Sequence, residues 1–129
     1  LEAANKNIQG MAHTRGIALD VNDADQRQSL IQSHDLVISM LPAHMHLEVA
    51  KDCLTYGKHM VTASYVSPAM EELDQEVRAK NLIFMNECGL DPGIDHMSAM
   101  KVIDDIRAQG GKMLLFESFT GAWLKINYF

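Results

Sequence analysis

The segment DLVISML at residues 35–41 is apolar at every position except its first and Ser39, and a proline follows it. A run of this length predicts a short strand that is buried on both faces. Four further strands are predicted from similar runs: RGIALDV at 15–21, KHMVTA at 58–63, NLIFMN at 81–86 and KMLLFE at 112–117. Their spacing is that of right-handed βα crossovers. The predicted fold class is α/β, a doubly wound, mostly parallel sheet.

Helix signals lie between the predicted strands. Ser67 is predicted to cap a helix with Pro68 in its first turn, and Met70, Leu73 and Val77 follow at helical spacing. Three further helices and the end of another are predicted: His46 to Gly57, Met97 to Gly110, Asp23 to Gln32, and residues 1–9.

Composition narrows the class of protein. The 129 residues carry a net charge of −6, and no apolar run approaches the roughly 20 residues that span a bilayer. We therefore expect no membrane segment, and the negative charge argues against a nucleic-acid partner. Cys53 and Cys88 match no disulfide or CxxC spacing. This pattern predicts reduced, buried thiols and a cytoplasmic location.

The predicted ligand site lies beyond the carboxyl ends of the strands, where parallel α/β sheets bind ligands. Four loops are placed there: residues 20–23, 41–44, 63–67 and 89–96. None contains the G-x-G-x-x-G dinucleotide fingerprint. Either the fold binds no nucleotide, or the first βαβ unit lies upstream of Leu1. We favour the second explanation, because the chain opens inside an apparent helix without an initiator Met.

Three residues of these loops have two interpretations each. Asp20 accepts a hydrogen bond from an adenine amino group, or it caps the following helix. Asp91 caps the next helix through Pro92, or it orients the ammonium or imine of a substrate. Tyr65 supplies a hydroxyl to substrate or cofactor, although tyrosine with one wet end is common at any cleft.

The histidines and carboxylates do not predict a metal site. Asp91, Asp95 and His96 form an incomplete ligand set, because no fourth ligand lies nearby in sequence. His44 and His46 are two positions apart, so on a helix they face different directions. We expect both histidines to be solvated or to cap a helix.

Two segments together resemble a known family. VTASYVSPAM at 61–70 and GLDPGIDHM at 89–97 are similar to saccharopine dehydrogenases of the glutamate-forming type, also called saccharopine reductases. The resemblance extends from Gly16 to Gly121. It implies an oxidoreductase that uses NADP or NAD and interconverts saccharopine with L-glutamate and 2-aminoadipate 6-semialdehyde by hydride transfer at a C–N bond. Its partner would be a small amino-acid substrate.

The resemblance also implies a role for each loop. The cofactor would contact Asp20 and Val21 at its adenosine, Leu41 and Pro42 along its middle, Ala63 and Ser64 further in, and Leu90, Asp91 and Pro92 near the nicotinamide. The amino-acid substrate would contact Ser64, Tyr65 and Asp91. Asp91 is the predicted catalytic residue, because a carboxylate near the bridging nitrogen stabilises a cationic C=N group that accepts hydride.

The resemblance places this chain within a longer, Rossmann-like enzyme that is incomplete here at its N-terminus. Residues 1–95 would be the remainder of the dinucleotide-binding domain. Residues 96–129 would be a crossover helix and the first strand of a second α/β domain that binds substrate. The chain alone is expected to be inactive, and a homodimer would form through that second domain.

Two other functions remain open. A related polyamine-type carboxyamine reductase would use the same cofactor loops on another amine. A catalytically silent α/β binding module would keep the fold without the chemistry. Residues 122–129 depart from the family pattern, and we assign them no function.

Overall fold

The computed structural model describes residues 1–119, so the departure noted at 122–129 lies outside the described residues. The chain divides into two compact units. The first is Leu1–Ile94, and the second begins at Asp95. The elements are α1 (Glu2–Asn7), α2 (Ala24–Gln32), β1 (Leu36–Ser39), a 3-10 turn (Ala43–Met45), α3 (His46–Tyr56), β2 (His59–Thr62), α4 (Pro68–Glu71), α5 (Asp74–Ala79), β3 (Phe84–Met85) and α6 (Ile94–Ala108). No helix among these residues is long and apolar enough to cross a bilayer.

The first unit contains a parallel sheet in the order β1-β2-β3. Leu36 pairs with His59 and Ser39 with Thr62, while Met60 pairs with Phe84 on the other side of β2. Helix α3 connects β1 to β2, and α4 and α5 connect β2 to β3, as parallel neighbours require. The predicted α/β class with a parallel sheet is confirmed, and the carboxyl ends of β1 and β2 lie side by side.

Two predicted strands do not form. Residues 15–21 and 112–117 belong to no helix or strand. A strand needs a neighbour that pairs with its backbone N–H and C=O groups, and neither segment has one within residues 1–119. An apolar run alone therefore overestimated the number of strands.

The hydrophobic core lies between the sheet and α3. Val49, Ala50 and Cys53 of α3 are buried together with Met60 of β2 and Ile31 of α2. The helix ends as predicted at Gly57, whose φ of 64° is the left-handed conformation that glycine adopts without a Cβ penalty. Burial raises the pKa of the Cys53 thiol to about 11.

The helix starts follow their capping residues. Asp23 accepts a hydrogen bond from the Gln26 N–H at the start of α2, and Ser67 accepts one from the Met70 N–H at the start of α4. The bond from Gln26 lowers the pKa of Asp23. The helix predicted from Ser67 is interrupted, because α4 ends at Glu71 and α5 begins at Asp74.

Several apolar side chains of both units are exposed. In the first unit, Leu36 and Ile38 alternate with the less exposed Val37 and Ser39 along β1. In the second unit, α6 buries no residue, and Met97 and Val102 are both more than half exposed. Gly110 follows α6 with a φ of 77°, near the predicted helix end.

Candidate functional site

The ends of β1 and β2 position two of the four predicted loops. Because Ser39 pairs with Thr62, the residues that follow each strand leave the sheet at the same edge. Leu41 packs partly buried against the core, and Ala63 and Ser64 are half-buried. The register thus brings together the loops predicted to bind the middle and inner parts of a dinucleotide.

A buried imidazole connects these strand ends. His46 is 3% exposed and lies at the start of α3. Its Nδ1 is 2.8 Å from the Ser39 hydroxyl, and its Nε2 is 2.8 Å from the Ser64 hydroxyl and 3.0 Å from that of Thr62. Burial lowers its pKa below the usual value. The expectation that His46 is solvated or capping is wrong.

His44 differs from His46 as the sequence spacing suggested. It lies in the 3-10 turn and is exposed. The two histidines thus lie in different elements and differ in burial, and the sequence spacing did not predict which of them is buried. The signal that was missed is the set of small hydroxyl residues at the two strand ends, Ser39 and Thr62, which a buried imidazole can bond.

The loop at residues 89–93 packs directly against the end of β2. The Cys88 N–H donates to the Thr62 carbonyl at 3.1 Å, and the Gly89 N–H donates to the Pro92 carbonyl at 2.9 Å. A Cβ on Gly89 would lie 2.8 Å from the Ala63 carbonyl oxygen, closer than real Cβ atoms come. Gly93 has a φ of 141°, a conformation that side chains rarely allow. Gly89 therefore permits the close approach to β2, and Gly93 permits the tight turn of the loop itself.

Two predicted substrate residues meet at this loop. The Tyr65 hydroxyl donates to Oδ1 of Asp91 at 2.6 Å. Both side chains are exposed, and Leu90 beside them is 73% exposed, whereas Pro92 is buried. The Tyr65 hydroxyl and the Asp91 carboxylate both lie at an accessible surface, where a ligand can reach them. The ligand roles of both residues stay predictions.

Glu87 fixes the backbone on both sides of Tyr65. Its N–H donates to the Ser64 carbonyl at 3.0 Å, and its Oε1 accepts from the Val66 N–H at 3.2 Å. Glu87 itself has a φ of 62°, which costs energy in any residue that carries a Cβ. This residue was not singled out from the sequence, because its role depends on a contact between loops 21 positions apart.

The loop at 20–23 is held by different contacts. Oδ1 of Asp20 accepts from the backbone and side-chain N–H groups of Asn22, and Asp23 rather than Asp20 caps α2. The capping interpretation of Asp20 is therefore wrong. Arg27 donates to the Val21 carbonyl at 2.6 Å and forms a buried ion pair with Asp52, also at 2.6 Å. This ion pair ties the loop to α3.

Val21 and Leu41 line one cavity of about 510 Å³ between residues 15–21 and β1. The predicted adenosine end and middle of a cofactor site thus share a wall. Neither Ser64, predicted to lie further in, nor Asp91, predicted to lie near the nicotinamide, lines that cavity.

The thiols and the metal-ligand candidates differ in environment. Cys53 is buried as predicted, but Cys88 is exposed, so the prediction of a buried thiol at that position is wrong.

His96 Nδ1 lies 2.7 Å from Oδ1 of Asp95. Within the described part of the chain, no three His, Cys, Asp or Glu side chains are grouped to hold a metal ion.

Comparisons with known proteins agree with this arrangement. Residues 2–85 match the family described as saccharopine dehydrogenase NADP binding domain, and residues 89–127 match the saccharopine dehydrogenase C-terminal domain.

Similar individual proteins come from fungi and plants. The chain is 48% identical over 121 residues to "Saccharopine dehydrogenase [NADP(+), L-glutamate-forming]" of Pyricularia oryzae, covering 94% of this chain and 27% of that protein. It is 39% identical to alpha-aminoadipic semialdehyde synthase of Arabidopsis thaliana, covering 94% of this chain and 11% of that protein. The chain therefore spans about a quarter or less of these relatives.

A solved structure has the same fold. The apo histidine-tagged saccharopine dehydrogenase (L-Glu forming) of Saccharomyces cerevisiae superposes with a TM-score of 0.71 at 38% identity, covering 84% of this chain and 24% of that one. With a parallel α/β sheet, the loops at its strand ends and a family match over residues 2–85, the chain belongs to the saccharopine dehydrogenase NADP-binding domain family.

Proposed function

We propose that the complete protein is an NADP-dependent oxidoreductase that interconverts saccharopine with L-glutamate and 2-aminoadipate 6-semialdehyde in lysine metabolism. The observation that carries this proposal is the 2.6 Å contact between Tyr65 and Asp91 beside Ser64, three residues that the family resemblance assigns to the amino-acid substrate. The names of the similar fungal proteins support the same reaction and favour NADP over NAD.

The residues present fit part of a dinucleotide. The cavity that Val21 and Leu41 line accepts an apolar or aromatic group, and the exposed Leu90 supplies apolar surface beside the polar Ser64 and Asp91. NADP, when bound, would donate or accept the hydride. Its adenosine would lie near Asp20 and Val21, its middle near Leu41 and Pro42, the part further in near Ala63 and Ser64, and its nicotinamide near Leu90, Asp91 and Pro92.

Asp91 is the proposed catalytic residue. Its carboxylate would lie near the nitrogen that bridges the two halves of saccharopine, where a positive charge develops on C=N. An oriented carboxylate stabilises such a charge without reorganising during the reaction. The hydroxyl of Tyr65 would hold Asp91 in this orientation, because a short hydrogen bond to one carboxylate oxygen limits rotation of the side chain.

The domain assignment follows from the same reasoning. Residues 1–95 would be the remainder of the dinucleotide-binding domain, and residues 96–129 would begin the substrate domain. The match of residues 89–127 to the C-terminal domain family supports this division. A homodimer through the substrate domain and a cytoplasmic location complete the proposal. A similar rat protein is named alpha-aminoadipic semialdehyde synthase, mitochondrial, so the mitochondrion is the alternative location that cell fractionation would test.

A spectrophotometric assay of the complete protein tests the function. Saccharopine should reduce NADP with formation of an absorbance band of the reduced nicotinamide, and NAD should be a poorer acceptor. A polyamine-type carboxyamine substrate is the matched comparison. Faster turnover of that compound would support the related reductase instead, and NADP binding without turnover of either compound would support a silent module.

A further inference from the structure

We propose that His46 is a positioning residue that holds the Ser64 hydroxyl in one orientation by linking the ends of β1 and β2. The inference rests on the proposed function, because it takes Ser64 to be a residue that contacts NADP and the amino-acid substrate. It assigns His46 no contact with either molecule.

The first support is geometric. The imidazole has one nitrogen on each side, and the two point to different strands. Nδ1 reaches Ser39 at the end of β1, and Nε2 reaches both Thr62 at the end of β2 and Ser64 just after it. The ring therefore fixes both the distance between the two strand ends and the position of the Ser64 hydroxyl.

The second support is burial. Ser39 is 4% exposed and Thr62 is 2% exposed, so bulk water does not reach their hydroxyl groups in the folded protein. Among residues 1–119 no buried side-chain nitrogen or oxygen lacks a hydrogen-bond partner. An unpaired buried polar group costs about 1–3 kcal/mol. The buried hydroxyls of Ser39 and Thr62 thus have few other hydrogen-bond partners, and their bonds hold the imidazole in place.

The third support is the way in which Ser64 itself is held. A serine hydroxyl rotates freely unless a partner selects one rotamer. Its oxygen is 2.8 Å from His46 Nε2, and its backbone N–H donates to the Thr62 hydroxyl at 3.4 Å. Its carbonyl accepts from the Glu87 N–H. His46 is the partner that acts on the hydroxyl, which is the part of Ser64 that a ligand would contact.

Two substitutions separate positioning from packing. The amide of His46→Gln reaches about as far as Nε2 and can bond Ser64, whereas the amide of His46→Asn reaches about as far as Nδ1 and can bond only Ser39. In the complete protein, His46→Asn should raise the NADP dissociation constant and the KM for saccharopine roughly tenfold, the size of one lost hydrogen bond. His46→Gln should keep both values within about threefold of the unchanged protein. His13→Asn, the same change at an exposed histidine that does not line the cavity of Val21 and Leu41, is the control.

A double-mutant cycle with Ser64→Ala tests whether His46 acts through Ser64. If it does, adding His46→Asn to Ser64→Ala should change the NADP dissociation constant by less than twofold, because the group that it positions is already absent. Additive effects would overturn the proposal, and so would equal losses in the Gln and Asn variants. If the His46 variants do not fold, Ser39→Ala in the same cycle decides, since it removes only the Nδ1 partner and should likewise be non-additive.

The proposed function fails independently of this inference. A complete protein that binds NADP but does not oxidise saccharopine would overturn the substrate assignment. The cycle on the NADP dissociation constant would still decide whether His46 positions Ser64.

Discussion

The Tyr65 hydroxyl donates a 2.6 Å hydrogen bond to Oδ1 of Asp91, although 26 positions separate the two residues in sequence. Two features make this contact. Gly89 allows its loop to pack against Ala63, and Glu87 bonds the backbone on both sides of Tyr65. The pair joins the loop after β2 to the loop after β3.

Asp91→Asn should lower turnover of saccharopine in the complete protein about a hundredfold, while NADP binding changes little. The amide keeps the size of the side chain and its ability to cap a helix, so a loss reports the negative charge. Deleting one preorganised electrostatic contact costs a few kcal/mol, and each 1.36 kcal/mol is about tenfold in rate. Steady-state kinetics and melting temperature check this, with the exposed Asp74→Asn as control. Unchanged turnover would remove Asp91 from the mechanism.

Tyr65→Phe should lower turnover by a smaller factor, about tenfold, because it removes only the hydroxyl that orients Asp91. Combined with Asp91→Asn, it should add little further loss, since both changes act on the same carboxylate. Kinetics of the two single variants and the double variant measure this coupling. A fully additive double variant would mean that Tyr65 acts on the substrate directly and not through Asp91.

Gly89→Ala should weaken NADP binding as well as stability. The new Cβ would press against the Ala63 carbonyl and push the 89–93 loop away from β2, at a cost of about 1–3 kcal/mol. Gly57→Ala is the matched control: its φ of 64° makes alanine cost about 1–2 kcal/mol, but nothing lies within 4 Å of the added atom. Melting temperature should fall in both variants, and the NADP dissociation constant should rise only for Gly89→Ala. An equal rise of the NADP dissociation constant in both variants would mean that general instability weakens binding.

Stability should fall in mild acid because of His46. In the folded state, burial lowers the pKa of His46 below its usual value of 6.5. As the pH falls, the imidazole of the unfolded chain therefore binds a proton at a higher pH than the imidazole of the folded chain. The stabilisation is present above about pH 6.5 and is lost as the pH falls through the folded-state pKa, with a slope of at most about 1.4 kcal/mol per pH unit. Denaturant unfolding between pH 7.5 and 5, compared with His46→Gln, isolates this residue. If the free energy of unfolding changes with pH in the same way in both proteins, His46 does not contribute to the loss of stability in acid.

The helix positions could be predicted from local sequence. Ser67 with Pro68 marks the start of α4, Gly57 marks the end of α3, and Asp23 lies where α2 begins. Caps of this kind act within one helical turn, so the residues beside them carry the information. The three paired strands were also among the predicted apolar runs.

Strand formation and the environment of individual side chains depended on tertiary structure. Residues 15–21 were predicted to form a strand like β1, yet within residues 1–119 they have no strand with which to pair. His44 and His46 have similar sequence surroundings, but only His46 meets three hydroxyl groups from two strand ends. Cys88 is exposed, although the spacing of the two cysteines predicted buried thiols.

The sequence by itself determined the α/β class, the capped helix ends at Asp23, Gly57 and Ser67, and the family, because periodicity, caps and motifs depend on neighbouring residues. Only the tertiary structure decided that Tyr65 meets Asp91 and that His46 joins Ser39 to Ser64. The physical reason is that these contacts depend on the register of β1 on β2 and on the packing of loops 18 to 26 positions apart. Hydrogen bonds require distances within a few tenths of an ångström, and local sequence preferences do not specify such distances.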